Sequence, residues 1–394
     1  MRTIFQLLFV GLCYSGLAQK GGSPQSFAKL ISPNDLKTHL YIIAGAEMEG
    51  RETATPGQRK AAAYIENQFK KTGLTAGNNG SYQMQFNVYQ DSITSAALEV
   101  NGQAFSIDKD FNPALSNIAA TLRFSEVVYI GGTSTDSLNR MNLAGKLVMV
   151  TGNTPASNRG RPVGAFNSFL QAKGVAGILS ISSSYPRTPA ASRKGNQALY
   201  HFSSILLPQQ TFISEAVARA IIGAEYESLK GNNSVVKTIA SNVLLDVKKT
   251  TITEQSSNVI GVLPGTDLKD EYLFITAHYD HLGKRGDSVI YYGADDDGSG
   301  TVAIMELADA FAQAKSKGKG PRRTIVFMAV SGEEKGLWGS EHYSNHPLFA
   351  LDKTTADLNI DMIGRSDTSR KGDTVNYVYV VGDDKLSTDL KKIS

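Results

Sequence analysis

The chain has 394 residues, 41% hydrophobic and 20% charged, with 40 basic against 37 acidic side chains and a formal net charge of +3. That length accommodates two ordinary domains. The near-balance of charge gives no electrostatic ground for a nucleic-acid or membrane-surface partner.

At the N-terminus, Arg2 precedes an apolar run from Ile4 to Leu12, and Gly16-Leu17-Ala18 follows. A basic start, a short apolar stretch and small residues before a cut describe a secretory signal peptide, with cleavage after Ala18 and export as the consequence. The run is too short to anchor the chain across a bilayer. The single cysteine, Cys13, lies inside it. The exported chain therefore has no disulfide, no thiolate ligand and no cysteine nucleophile, and any metal must be held by histidine and carboxylate.

Thr55-Pro56 reads as a helix start, with Thr55 as N-cap and Pro56 at the first helical position. Ala62, Ile65 and Phe69 share one face, and Gly73 ends the run. Tyr82, Met84, Phe86 and Val88 alternate with polar residues as a strand does. The texture then changes. Strand-like runs at Glu126–Ile130 and Lys146–Thr151 and a helical piece near Phe166–Lys173 are set among long polar stretches with a single histidine, His201. We read residues 92–252 as an inserted non-catalytic domain, between catalytic parts at 19–91 and 253–394.

The last part alternates apolar strands, at Asn258–Leu263, Tyr272–Ala277, Thr324–Val330 and Asp357–Ile360, with a helix over Gly300–Ala314. Near-continuous apolar strands separated by helices predict a layered α/β domain with a mainly parallel central sheet. Four polar clusters follow these strands or open the helix: His278-Tyr-Asp280-His281, Asp295-Asp296-Asp297, Glu333-Glu334 and Asn359-Ile-Asp361. Open α/β sheets place their sites beyond the carboxyl ends of the strands, where these clusters converge.

His278 has Asp280 two residues on, and a metal-bound imidazole usually needs an oxygen partner on its other nitrogen. His281 reads as structural or solvent-exposed. Three successive aspartates exceed what capping a helix needs, and their repulsion calls for a cation. Asp296, the middle one, is the candidate bridging ligand; Asp295 and Asp297 are assigned to the turn. The glycines that follow imitate a dinucleotide-binding loop, but the aspartates would repel a pyrophosphate. Of Glu333 and Glu334, one can bind metal while its neighbour acts as general base, and Asp361 is the remaining candidate ligand. Two metals about 3.5–4 Å apart could together activate water and polarise a carbonyl, and this donor set suits zinc.

The motifs His278-x-Asp280, Gly293-Ala-Asp295-Asp296-Asp297-Gly-Ser-Gly300, Glu333-Glu334-x-Gly-Leu-x-Gly-Ser340 and Asn359-x-Asp361-Met-x-Gly364 resemble the co-catalytic dizinc aminopeptidases, the family of bacterial leucyl aminopeptidases and glutamate carboxypeptidase II. The resemblance implies a three-layer zinc-exopeptidase fold and a substrate with an unblocked N-terminal residue. His278 and Asp361 would bind one zinc, Asp296 would bridge, Glu334 would bind the second zinc, Glu333 would be the base and Asp280 would orient His278. Met48-Glu49-Gly50-Arg51 and Thr55-Pro56-Gly57 resemble the family's entry to its first long helix. Leu143–Val150 and Ala172–Gly177 resemble the protease-associated domain often inserted in these enzymes.

The sequence departs from the family in one respect. A further histidine, downstream of the residue matching Asp361, should complete the second zinc site, and no histidine follows His346. The expectation is that the C-terminal part is missing and the second site incomplete; His342 and His346 are not taken as substitutes. A single-zinc glutaminyl cyclase-like enzyme and a non-catalytic receptor-like module remain the alternative readings.

Overall fold

The computed structural model describes residues 23–131, 138–151, 163–190, 192–202, 207–230, 235–286, 288–385 and 387–393. The expected signal peptide at 1–18, Cys13 included, lies outside the described residues. The chain divides into two compact units, one formed by Met1–Phe86 with Gln255–Ser394, the other by Asn87–Glu254. The sequence reading put the divisions at 91/92 and 252/253. Both observed divisions fall inside long strands, Gln83–Val100 and Val236–Leu263.

In the first unit, strand Leu268–His278 lies between Arg323–Val330 and Thr354–Asn359 and is parallel to both. Residues 259–263 add to Arg323–Val330 in the antiparallel sense. The strands alternate their faces as the pleat requires. Val259, Ile275, Ala277, Ile325, Phe327 and Ala329 pack against helices Pro33–Ile43, Pro56–Thr72 and Gly300–Ser316, meeting Ile43, Ile65, Phe69, Met305 and Ala308. The opposite face presents Ile260, Val262, Phe274, Val326 and Met328 to Tyr343 of helix Trp338–Asn345 and to Phe349. This unit therefore has helix, sheet and helix layers; Arg323–Val330 and the C-terminal half of Leu268–His278 are buried on both faces, where helices cover both, while the edge strand Thr354–Asn359 is largely exposed.

Helix Pro56–Thr72 starts where the sequence predicts. The Thr55 side chain accepts a hydrogen bond from the Gln58 main-chain N–H, and Gly73 closes the helix in the left-handed region at φ 81°. That conformation costs glycine little and any other residue more.

In the second unit, strands Ala120–Ile130, Leu147–Thr151, Gly177–Ile181 and Gln209–Ile213 run parallel in that order, with Phe111–Pro113 antiparallel at the end. Leu147 and Met149 face helix Glu215–Ile222 through Val217 and Ile221. Val148 and Val150 face the other way, toward Leu138, Leu143 and Leu170. His201, exposed to solvent, contacts the rings of Tyr89 and Phe202.

Candidate metal centre

The parallel register brings the ends of three strands to one edge, pairing His278 with Val330 and Thr276 with Asn359. His278 closes its strand, the Glu333-Glu334 pair follows Val330 and Asp361 follows Asn359. The loop Ala294–Ser299 delivers Asp296 to the same edge at the start of helix Gly300–Ser316. The four clusters, scattered through the sequence, thus converge.

His278 Nε2 lies 3.1 Å from Asp296 Oδ1, 3.8 Å from Asp361 Oδ1 and 3.9 Å from Glu333 Oε2. Its ring is buried, and its Nδ1 faces the Asp280 main-chain oxygen at 3.2 Å, with the Asp280 carboxylate at 3.8 Å. The Asp280 carboxylate is itself fixed, accepting from Thr53 Oγ1 at 2.8 Å and from the Glu333 main-chain N–H at 3.2 Å. Asp280 therefore ties the His278 strand to the glutamate loop, and its contact with the imidazole runs mainly through its backbone.

Two groups of donor atoms could each hold a metal ion: His278, Asp296 and Asp361, and His281, Asp296 and Glu334. Asp296 belongs to both. His281, expected to be structural or exposed to solvent, is buried, and its Nδ1 lies 2.7 Å from Glu334 Oε1. The sequence carried one signal for this, a second imidazole three residues after His278. His342 and His346 belong to neither group. They stack on each other, and His342 also stacks on Phe86.

The flanking aspartates hold the neighbouring loop. Asp295 Oδ1 accepts from Gly364 N–H and Asp297 Oδ1 from Gly300 and Met362 N–H, while Arg365 pairs with Asp295 at 2.9 Å. Burial pushes the Asp297 carboxyl up to about 8 and raises Glu333 as well. Burial alone would lower His278, but the charges of Asp280, Asp297 and Glu333 outweigh it and bring the imidazole to about 9.

Two further residues support the site. Arg51 is fully buried and donates to the carbonyls of Ile43, Tyr279, Tyr292 and Gly293. Its charge sits among those of Asp280, Asp297, Asp296 and Glu334. Asn258 donates to the Gly339 carbonyl and accepts from Ser331 N–H, which pins the start of the glutamate loop.

A cation fits this donor set. Imidazole nitrogens and carboxylate oxygens converge without thiolate, as zinc sites allow. His281 Nδ1 and Glu334 Oε1 pair with each other at 2.7 Å beside the carboxylates of Asp296 and Asp361, a concentration of negative charge that a bound cation would relieve.

Residues 258–387 match the model of peptidase family M28. This segment belongs to that family. The M28 segment contains all six residues singled out as ligands or catalytic groups, together with His281. Among curated proteins, the chain is similar to "Probable zinc metalloprotease" of Pyricularia oryzae, 37% identical over 140 residues that make up 34% of this chain and 25% of that protein. It is also similar to "Aminopeptidase YwaD" of Bacillus subtilis, 27% identical over 235 residues, 56% of this chain and 48% of that protein. Among solved structures it is similar to "Aminopeptidase from Aneurinibacillus sp. strain AM-1", with a TM-score of 0.47 and 18% identity over 86% of this chain and 72% of that one. The chain spans from a quarter to about half the length of these curated relatives.

Proposed function

We propose that the chain is an exported zinc metallopeptidase that removes residues from the unblocked N-terminus of peptides, using two zinc ions. One observation carries the reading: a single carboxylate, Asp296, belongs to both donor groups, as a ligand bridging two ions must. His278, Asp361 and Asp296 would hold one zinc, and Glu334 with Asp296 the second. The family of residues 258–387 and the names of the relatives support zinc and peptide substrates. Export rests on the tripartite N-terminal pattern. Among the described residues no helix is long and apolar enough to cross a membrane.

Zinc bound at this edge supplies Lewis acidity, which makes water a nucleophile near neutral pH and polarises the scissile carbonyl. The rest falls to the chain's own side chains. Glu333, half-buried and not included in either donor group, takes the proton of the attacking water on its carboxylate. Burial raises its pKa, which suits a base that must also return that proton to the departing amine. Asp280 keeps the Glu333 backbone and the His278 ring in register. The second unit, which holds neither donor group among the described residues, is read as an inserted protease-associated domain.

The test is the zinc content of the purified chain after dialysis, with aminopeptidase turnover on matched peptides carrying a free or an acetylated N-terminus. We expect zinc to remain bound to the purified chain, with turnover of the free peptide alone, loss with a chelator and recovery on adding zinc. A folded sample without zinc, or equal cleavage of both peptides, overturns the proposal.

A further inference from the structure

We propose that Thr53 is a positioning residue for Glu333, acting through the Asp280 carboxylate. The inference rests on the role of Glu333 as base proposed above, and deepens it by naming what holds that base in register.

The backbone of residues 49–54 is strained. Glu49, Arg51 and Ala54 all adopt the left-handed region, at φ 52°, 51° and 63°. Side chains other than glycine rarely enter it, and such strain gathers at functional sites. The bend turns three consecutive side chains onto three different loops. Arg51 reaches the carbonyls of Tyr279, Tyr292 and Gly293. Glu52 accepts from Lys335 Nζ at 2.6 Å, at the tip of the glutamate loop. Thr53, fully buried, donates from Oγ1 to Asp280 Oδ2 at 2.8 Å.

Asp280 is fully buried as well, and its Oδ1 accepts the Glu333 main-chain N–H at 3.2 Å. Its two oxygens are thus divided between Thr53 and the glutamate loop. A buried carboxylate that loses one donor turns to share those that remain. The Thr53 hydroxyl therefore fixes the rotation of this carboxylate, and with it the position at which the Glu333 N–H is received. The rest of the loop has other ties: the Glu333 main-chain oxygen accepts from Gly336 and Leu337 N–H, and Lys335 is held by Glu52. Removing the Thr53 hydroxyl should therefore displace Glu333 without unfolding its loop. Catalytic groups tolerate only about 0.5 Å of such displacement.

The experiment compares the full chain with T53V, which keeps the side-chain shape and loses the donor, and with T53S, which keeps the donor. For T53V we expect kcat on a peptide with a free N-terminus to fall at least ~10-fold, the lower end of the losses from removing an outer hydrogen-bond partner at a metal site. KM and zinc content should not change, because the interaction lost serves the transition state alone. T53S should turn over like the unmodified chain. Hydrogen exchange gives a readout independent of turnover: the Glu333 N–H should exchange faster in T53V than in the other two proteins, while the Gly336 N–H keeps its protection. An unchanged kcat or an unchanged Glu333 exchange rate in T53V overturns the proposal, as do equal losses in T53V and T53S. Zinc lost together with kcat overturns it too, since Thr53 would then act on the metal. Should T53V fail to fold, the Thr53 hydroxyl proton of the unmodified chain decides. Held against a buried carboxylate, it should give a slowly exchanging resonance by NMR, and its absence overturns the proposal. No turnover by the unmodified chain overturns the peptidase reading, and the exchange rates still decide whether Thr53 holds Glu333.

Discussion

Arg51 and Gly293 are joined by a 2.9 Å hydrogen bond from guanidinium Nη2 to the main-chain oxygen. The same guanidinium reaches Tyr279, next to His278, and Tyr292, which leads into the aspartate loop. One buried cation therefore sets the spacing between the two loops that carry His278, His281 and Asp296. Its charge also offsets part of the carboxylate cluster.

Arg51→Ala should be among the most damaging single substitutions away from the ligands. It leaves several carbonyls unpaired and removes a charge from an acidic site, at a cost of at least ~3 kcal/mol by the usual value of hydrogen bonds to charged groups. Arg51→Lys should recover only part of this, since an ammonium cannot reproduce the planar fork. Urea denaturation of the three proteins at equal zinc measures it, and a loss under about 1 kcal/mol for the alanine variant would contradict the role assigned to Arg51.

Gly339 sits at the other end of the glutamate loop. Its N–H donates to the Ser331 carbonyl at 2.8 Å, and a Cβ there would meet that oxygen at 2.4 Å and Asn258 Oδ1 at 2.3 Å. Both neighbours are held by hydrogen bonds and cannot yield cheaply. Gly339→Ala should lower stability by roughly 1–3 kcal/mol, the ordinary cost of overpacking. Thermal denaturation reads this directly, and an unchanged midpoint would mean that the loop moves more freely than its hydrogen bonds imply.

Glu333→Gln separates chemistry from metal binding. The amide keeps the size of the side chain but cannot accept the proton of water. We expect kcat to fall by about 10²–10⁴-fold, the usual share of general-base catalysis, with zinc content unchanged. Loss of zinc together with activity would make Glu333 a ligand instead.

The pH behaviour of the metal-free protein should oppose that of the loaded one. His278 is raised from 6.5 to about 9 and Asp297 from 3.8 to about 8. A raised folded pKa means that the folded state binds more protons than the unfolded one between the two values, so stability falls as pH rises. The His278 contribution is fully present below its unfolded pKa and lost through pH 9; the Asp297 contribution is lost through pH 8. Zinc must displace the His278 proton, so its affinity should climb by up to about tenfold per pH unit for that one proton. The melting temperatures of metal-free and zinc-loaded protein should therefore diverge between pH 6 and pH 8. Parallel curves would show that His278 carries no proton for zinc to displace.

Much of the first unit was legible in the sequence because local physics determines it. The cap pair Thr55-Pro56, the terminator Gly73 and the apolar strands that precede His278, Glu333 and Asp361 depend on side chains within a few residues of one another. The rule that parallel strands gather their sites at carboxyl ends then carried those clusters to one edge. The exact divisions between the two units were less legible, because each falls inside a continuous strand, while the change in texture along the sequence is spread over several residues. Whether His281 faces solvent or Glu334 was beyond local reasoning altogether. That choice depends on the Gly293 backbone closing over the ring, on Arg51 holding the Gly293 loop, and on the glutamate loop returning from a different strand. Only the tertiary structure decides it, because each contact joins residues whose separation along the chain leaves no periodic or compositional trace.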